Sequence, residues 1–120
     1  MGFKDHFSRQ SAAYHRYRPA YPPALIAFVA AQAPGRRLAV DCATGNGQAA
    51  VALAEHFDAV LAVDGSSSQL ERAQPHPRVH YAAGFAERLP VRDRSAELVV
   101  AAQAAHWFDF TRFHAECRRV

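Results

Sequence analysis

The sequence predicts an α/β domain, a parallel sheet with helices on both faces, on three observations. Short apolar runs recur at Leu38–Cys42, Ala59–Val63, Val79–Ala82 and Glu97–Ala102. Stretches with helical periodicity separate most of these runs, and the first run ends in a glycine-rich turn, Gly45-Asn46-Gly47, directly ahead of a helix. Strands buried on both faces read as apolar runs rather than alternations. Strands alternating with helical segments build βαβ units.

The elements follow in chain order. Lys4 to Arg18 is expected to be a helix that stops before Pro19, because the residue preceding a proline avoids the helical region. A second helix is expected over Pro23–Gln32, with its prolines in the tolerated first turn and Pro34-Gly35 after its end. It is apolar at Leu25, Ile26, Phe28 and Val29. Residues 1–34 are thus expected to form an N-terminal helical cap, and residues 35–120 the sheet domain. In that domain Leu38–Cys42 is strand 1, and Gln48–Phe57 is a helix with Val51, Leu53, Ala54 and Phe57 on its buried side. Ala59–Val63 is strand 2, Ser67–Ala73 a short helix, Val79–Ala82 strand 3 and Glu97–Ala102 strand 4. Asp109–Val120 is a helix with Phe110, Phe113 and Cys117 spaced for one face.

Composition narrows the function classes. The chain has 120 residues, half of them apolar, enough for one packed unit. No apolar run approaches the length of about 20 residues that a membrane span needs, and Met1–Gln10 has no apolar centre of a signal peptide. A cytoplasmic protein is expected. The net charge of +3 is spread over the chain rather than clustered, so neither a nucleic acid nor a membrane is an expected partner. Cys42 and Cys117 make no disulfide framework, Cys42 reads as a small buried residue, and the histidines show no metal-ligand spacing.

In an open α/β sheet, ligands bind outside the carboxyl ends of the strands. Gly45-Asn46-Gly47-Gln48-Ala49-Ala50 fits the relaxed dinucleotide pattern, a weak match by itself. Asp41, four residues ahead of the first glycine, shifts the balance. A carboxylate there repels a pyrophosphate and attracts an ammonium or sulfonium group; alternatively it caps the amides of its own turn. Asp64 follows at the distance of about 20 residues where an acidic side chain takes ribose hydroxyls; alternatively Asp64 or Ser66 caps the next helix. Strand 3 leads into Gly84-Phe85-Ala86-Glu87-Arg88-Leu89-Pro90, where loop amides or Glu87 could read an adenine edge, or Glu87 is plain solvated surface.

Asp41–Gly47, Val63-Asp64-Gly65-Ser66, Gly84–Pro90 and Glu97-Leu98-Val99-Val100, taken in order, resemble the motifs of class I S-adenosylmethionine-dependent methyltransferases with a Rossmann-like sheet. Asp5-His6-Phe7-Ser8, Tyr14, Tyr17–Pro22 and Ala104-Ala105-His106-Trp107-Phe108 resemble the methyltransferase type 11 branch that includes trans-aconitate methyltransferase-like proteins. The resemblance implies S-adenosyl-L-methionine as cofactor and a small molecule as methyl acceptor. It places Asp41, Ala43, Gly45 and Gly47 on the methionine side. It places Asp64, Gly65 and Ser66 at the ribose, Gln69 or Leu70 over an adenine face, and Gly84, Ala86 and Glu87 at the adenine edge. It puts Gln103 near the methionine portion or the methyl group and lets Tyr14 and Arg18 close over the site. Glycine is common in the family where this chain has Ala43, and alanine there predicts ordinary backbone geometry and a slightly shifted loop. Methionine or leucine is common where Gln69 stands.

The family sheet has seven strands, whereas four are legible here, implying the partial order 3-2-1-4 and a truncated chain or a fragment. Strand 4 is then an open apolar edge, a place for self-association. A carboxylate acceptor, as this branch implies, needs no base but does need cationic or hydroxyl partners, for which Arg18, Tyr17 and Tyr21 are candidates. His106 is the one candidate base, or else a hydrogen-bonded wall residue beside Trp107 and Phe108. Trp107-Phe108 either lines an acceptor pocket or belongs to the core. A nicotinamide-dependent oxidoreductase domain and a cofactor-binding remnant without turnover are the alternative functions.

Overall fold

A computed structural model describes residues 21–101 and 109–120. The first expected helix, together with Tyr14, Arg18, Gln103, His106, Trp107 and Phe108, lies outside the described residues. The described elements are α1 (Pro23–Ala31), β1 (Leu38–Cys42), α2 (Gln48–Leu53), β2 (Ala59–Asp64), α3 (Ser67–Glu71), β3 (Val79–Ala83), β4 (Leu98–Val100) and α4 (Phe110–Arg119). The four strands form one sheet in the order β3-β2-β1-β4. All neighbours are parallel, with Val40 opposite Leu61 and Val99, and Ala62 opposite Tyr81.

Strand alternation sorts the side chains into two cores. On one face Ala39, Val60, Ala62 and Val79 pack with Ile26 and Ala30 of α1, Ala50 and Leu53 of α2, and Phe57. On the other, Val40, Cys42 and Val63 pack with Ala86, Leu89 and Val120, and Phe113 of α4 adds to them. Helices therefore cover both faces, as the apolar runs predict. Burial holds the Cys42 thiol well above its ordinary range, with the Asp41 charge as the second cause. Among the described residues no helix is long and apolar enough to cross a membrane.

Element ends differ from expectation for local reasons. The helix expected to run to Phe57 ends at Leu53, and Glu55 and His56 then donate to the carbonyls of Ala52 and Leu53 in a tightened turn. The turn still delivers Phe57 to the core, 4% exposed. Strand 4 is shorter than the expected Glu97–Ala102, its paired residues matching Ala39, Val40 and Asp41 of β1. In α1 only Ile26 and Ala30 are buried, while Leu25 and Phe28 are exposed.

Candidate functional site

The turn from β1 to α2 is held against the end of β2 by its own backbone. Thr44 N donates to Val63 O at 2.8 Å, Gly45 N to Asp64 Oδ2 at 2.8 Å, and Gly47 N to Thr44 O at 3.0 Å. Those bonds require a sharply curled chain, and Ala43, Gly45 and Gly47 all have positive φ, at 55°, 60° and 86°. The ordinary geometry expected for Ala43 is thus overturned. The tertiary bonds at Thr44 and Gly45 hold the alanine in the left-handed region, which costs an L-residue about 1–2 kcal/mol.

Two carboxylates meet this turn. Asp41 is 2% exposed and accepts from Thr44 Oγ1 at 2.7 Å. Its charge reaches across the sheet: the Tyr81 hydroxyl is pushed up to about 12, by burial first and by Asp41 second. Asp64 at the end of β2 accepts Gly45 N on Oδ2 and Ser66 N on Oδ1, each at 2.8 Å. Of the two expected caps for the following helix, Ser66 is the one used: it is the N-cap of α3 and accepts Gln69 N at 3.3 Å.

The structure brings Asp41, Ala43, Gly45, Gly47, Asp64, Gly65, Ser66 and Gln69 to the neighbouring ends of β1 and β2. Gly84 joins them from β3, donating its N–H to Asp64 O at 3.1 Å. Ala86 is 3% exposed and packs in the core on the α4 side. Glu87 has another partner than solvent, since its Oε2 accepts Asp109 N at 2.9 Å at the start of α4. The same loop is braced by Leu89 N donating to Glu116 Oε1 at 2.7 Å. Bonding to Arg119, with further help from the Leu89 amide, holds the Glu116 carboxyl down at about 2.

Sequence reasoning missed three residues. Thr44 ties the turn to Asp41. Asn46 accepts Gln74 N on its backbone oxygen at 2.9 Å and Gln48 N on Oδ1 at 3.3 Å. Tyr81 stands against Gly47 and donates to Gln74 O. Its signal was its register, on the same sheet face as Asp41 through Ala62. Tyr21, expected as an acceptor partner, lines a narrow polar cleft with Asp41, Ala43, Thr44, Asn46, Gln48 and Ala49.

The sequence profile of the methyltransferase domain family matches residues 40–120. The chain belongs to the class I S-adenosylmethionine-dependent methyltransferases. A Dictyostelium discoideum protein named as a methyltransferase is 35% identical over 98% of this chain and 45% of its own length. Malonyl-[acyl-carrier protein] O-methyltransferase of a Marinomonas species is 32% identical over 84% of this chain and 40% of its own length. The solved structure of a type II methyltransferase from Anaeromyxobacter dehalogenans superposes with a TM-score of 0.83 at 48% identity, covering 87% of this chain and 44% of that one. The chain thus spans a little under half the length of the curated relatives it matches.

S-adenosylmethionine, the cofactor of this methyltransferase family, suits the groups present. Asp41 and Asp64 make the turn acidic, which matches a ligand with two cationic centres and no phosphate. The cofactor's ribose supplies hydroxyl donors, and the site holds a carboxylate at Asp64 and a buried amide oxygen, Gln69 Oε1, with no hydrogen-bond partner among the described residues.

Proposed function

We propose that this chain is the cofactor-binding part of an enzyme that transfers a methyl group from S-adenosylmethionine to a small-molecule acceptor, a carboxylate. The observation that carries the reading is the convergence of two carboxylates, Asp41 and Asp64, on one glycine turn. Asp41, Ala43, Gly45 and Gly47 hold the methionine portion, and Asp64, Gly65 and Ser66 the ribose side. Gln69 lies under the nucleoside. Gly84, Ala86 and the backbone of the Glu87 loop border the adenine, with Glu87 itself fixing that loop to α4. Gln103, Tyr14 and Arg18 complete the enclosure. When bound, the cofactor supplies an electrophilic methyl group, and the protein's part is orientation and electrostatics.

A carboxylate acceptor is already ionised at neutral pH, so it needs neutralising partners rather than a base. Arg18, Tyr17 and Tyr21 supply them, and the position of Tyr21 in the cleft beside Asp41 supports this. The name of the Marinomonas relative, which specifies O-methylation of a malonyl group, accords with an oxygen acceptor. For an acceptor that must lose a proton, His106 is the base. The enzyme acts in the cytoplasm, with neither nucleic acid nor membrane as partner. The edge of β4 takes a further strand, from this protein or a second copy.

Calorimetric titration with S-adenosylhomocysteine and with NAD tests the cofactor. Binding of the first and none of the second is expected, and the reverse sinks the proposal. Transfer of labelled methyl to a panel of carboxylates, phenols and amines tests the acceptor. Cofactor binding without transfer to any of them supports a remnant without turnover.

A further inference from the structure

Basic residues are spread along the sequence, but the fold gathers Arg88, Arg92 and Arg119 at one cleft. Between the loop that follows β3 and α4 lies an open groove of about 550 Å3, bordered by residues 88–92 with Glu116 and Arg119. Arg119 is fully engaged there. Its Nε and Nη2 donate to the Glu116 carboxylate at 2.8 Å, and Nη1 donates to Val91 O and Asp93 Oδ1 at 2.8 Å. Nη2 donates to Leu89 O as well, at 3.0 Å. A guanidinium has no N–H to spare after these bonds. Glu116 also accepts Leu89 N at 2.7 Å. Arg119 and Glu116 are therefore a brace that pins the loop to α4. Arg88 and Arg92 are different. Both are exposed, and neither forms an ion pair with a described residue. The backbone that carries them is fixed, with Arg88 N donating to Phe85 O at 3.1 Å and Val91 N to Leu89 O at 2.8 Å.

These features narrow the occupant of the cleft. The space is far larger than an inorganic ion fills, since one water molecule takes about 30 Å3 of liquid volume. Its unspent charge is positive, because Glu116 and Asp93 are both paired with Arg119. Grooves for single-stranded nucleic acid add aromatic stacking platforms to positive charge, and among the described residues no aromatic side chain borders this one. Between the two arginines the surface is aliphatic, with Pro90 exposed and Val91 half-buried. Carboxylates interleaved with aliphatic side chains complement that pattern. We propose that this cleft docks an acidic, aliphatic segment of a partner protein, with its carboxylates on Arg88 and Arg92 and an apolar side chain on Pro90. The inference goes beyond the methyl-transfer reading and does not depend on it. The brace fixes the loop before the partner arrives, so little ordering cost opposes association.

The test is fluorescence anisotropy of the full chain with a labelled peptide in which glutamates flank leucines, beside its glutamine counterpart and a labelled single-stranded RNA. Arg88→Gln and Arg92→Gln should each weaken the acidic peptide about twofold to fivefold, the worth of one exposed ion pair. Together they should weaken it about fourfold to twenty-fivefold. The glutamine peptide should bind the wild type about as weakly as the acidic peptide binds the double variant, since either change removes the same pairs. Arg72→Gln removes one positive charge at the end of α3. It should change binding by less than about 1.5-fold at physiological salt, which screens a charge outside the cleft. The two cleft variants should melt with the wild type, and a lower melting temperature for both overturns the reading of these arginines as free. Absence of binding to the acidic peptide overturns the proposal, as do equal binding of the two peptides and an equal loss with Arg72→Gln. Tighter binding of the RNA, lost with the same two substitutions, overturns it in favour of a nucleic acid. Displacement of the peptide by equimolar inorganic phosphate overturns it in favour of a small-anion site.

Discussion

Gly47→Ala is the most informative perturbation of the turn, because its cost has two separable parts. Gly47 has φ of 86°, and a Cβ there would overlap the Tyr81 hydroxyl and lie 3.0 Å from Cζ and 3.1 Å from Cε1. The left-handed backbone costs an alanine about 1–2 kcal/mol. Displacing Tyr81 breaks its bond to Gln74 O, worth about 1 kcal/mol, and forces repacking of about 1–3 kcal/mol. Gly45→Ala is the control: φ is 60°, but the nearest atom is Gln69 Oε1 at 3.8 Å, so only the backbone cost applies. The gain of about 0.4–1 kcal/mol from a stiffer unfolded chain is common to both variants and cancels between them. Urea unfolding should therefore find Gly47→Ala about 2–4 kcal/mol less stable than Gly45→Ala. Tyr81→Phe should recover about 1 kcal/mol in the Gly47→Ala background, because the worst overlap is with the hydroxyl. Equal costs for the two glycines, or strict additivity of Gly47→Ala and Tyr81→Phe, would refute the reasoning.

Three further outcomes are expected. Ala43→Gly relieves the left-handed alanine, φ 55°, and after the entropy cost of glycine should stabilise the protein by about 0.5–1 kcal/mol; a lower midpoint in thermal unfolding would contradict this. Asp64→Ala frees the Gly45 and Ser66 amides together and should weaken S-adenosylhomocysteine by roughly tenfold or more in calorimetry, counting about one charge-assisted bond. Glu116 has its carboxyl lowered from 4.5 to about 2 by Arg119 and the Leu89 amide. Its contribution is whole above pH 4.5 and is lost as pH falls toward about 2. The stability gap between wild type and Glu116→Gln should therefore narrow across that window in urea titrations at stepped pH.

What the sequence determined by itself is whatever short-range chemistry dictates. Four apolar runs specify four strands because a parallel strand covered on both faces must be apolar throughout, and the structure has them at those places. Gly45-Asn46-Gly47 between Leu38–Cys42 and Gln48 specifies a strand, a tight turn and a helix, since turn residues act within a few positions. The places of Asp41 and Asp64 at strand ends are legible for the same reason. The tertiary structure decided which groups meet. Thr44 N on Val63 O and Gly45 N on Asp64 hold Ala43 in a conformation that alanine avoids, and no local rule overrides that avoidance. Tyr81 reaches Gly47 only because the parallel register aligns Asp41, Ala62 and Tyr81 on one face. Glu87 turns to Asp109, and Gln69 is closed in beside Gly45, through contacts between segments far apart in the chain. Composition and periodicity describe how each segment buries itself. They carry no information on which buried polar group stands opposite which, and in this protein that pairing shapes the turn where the cofactor is proposed to sit.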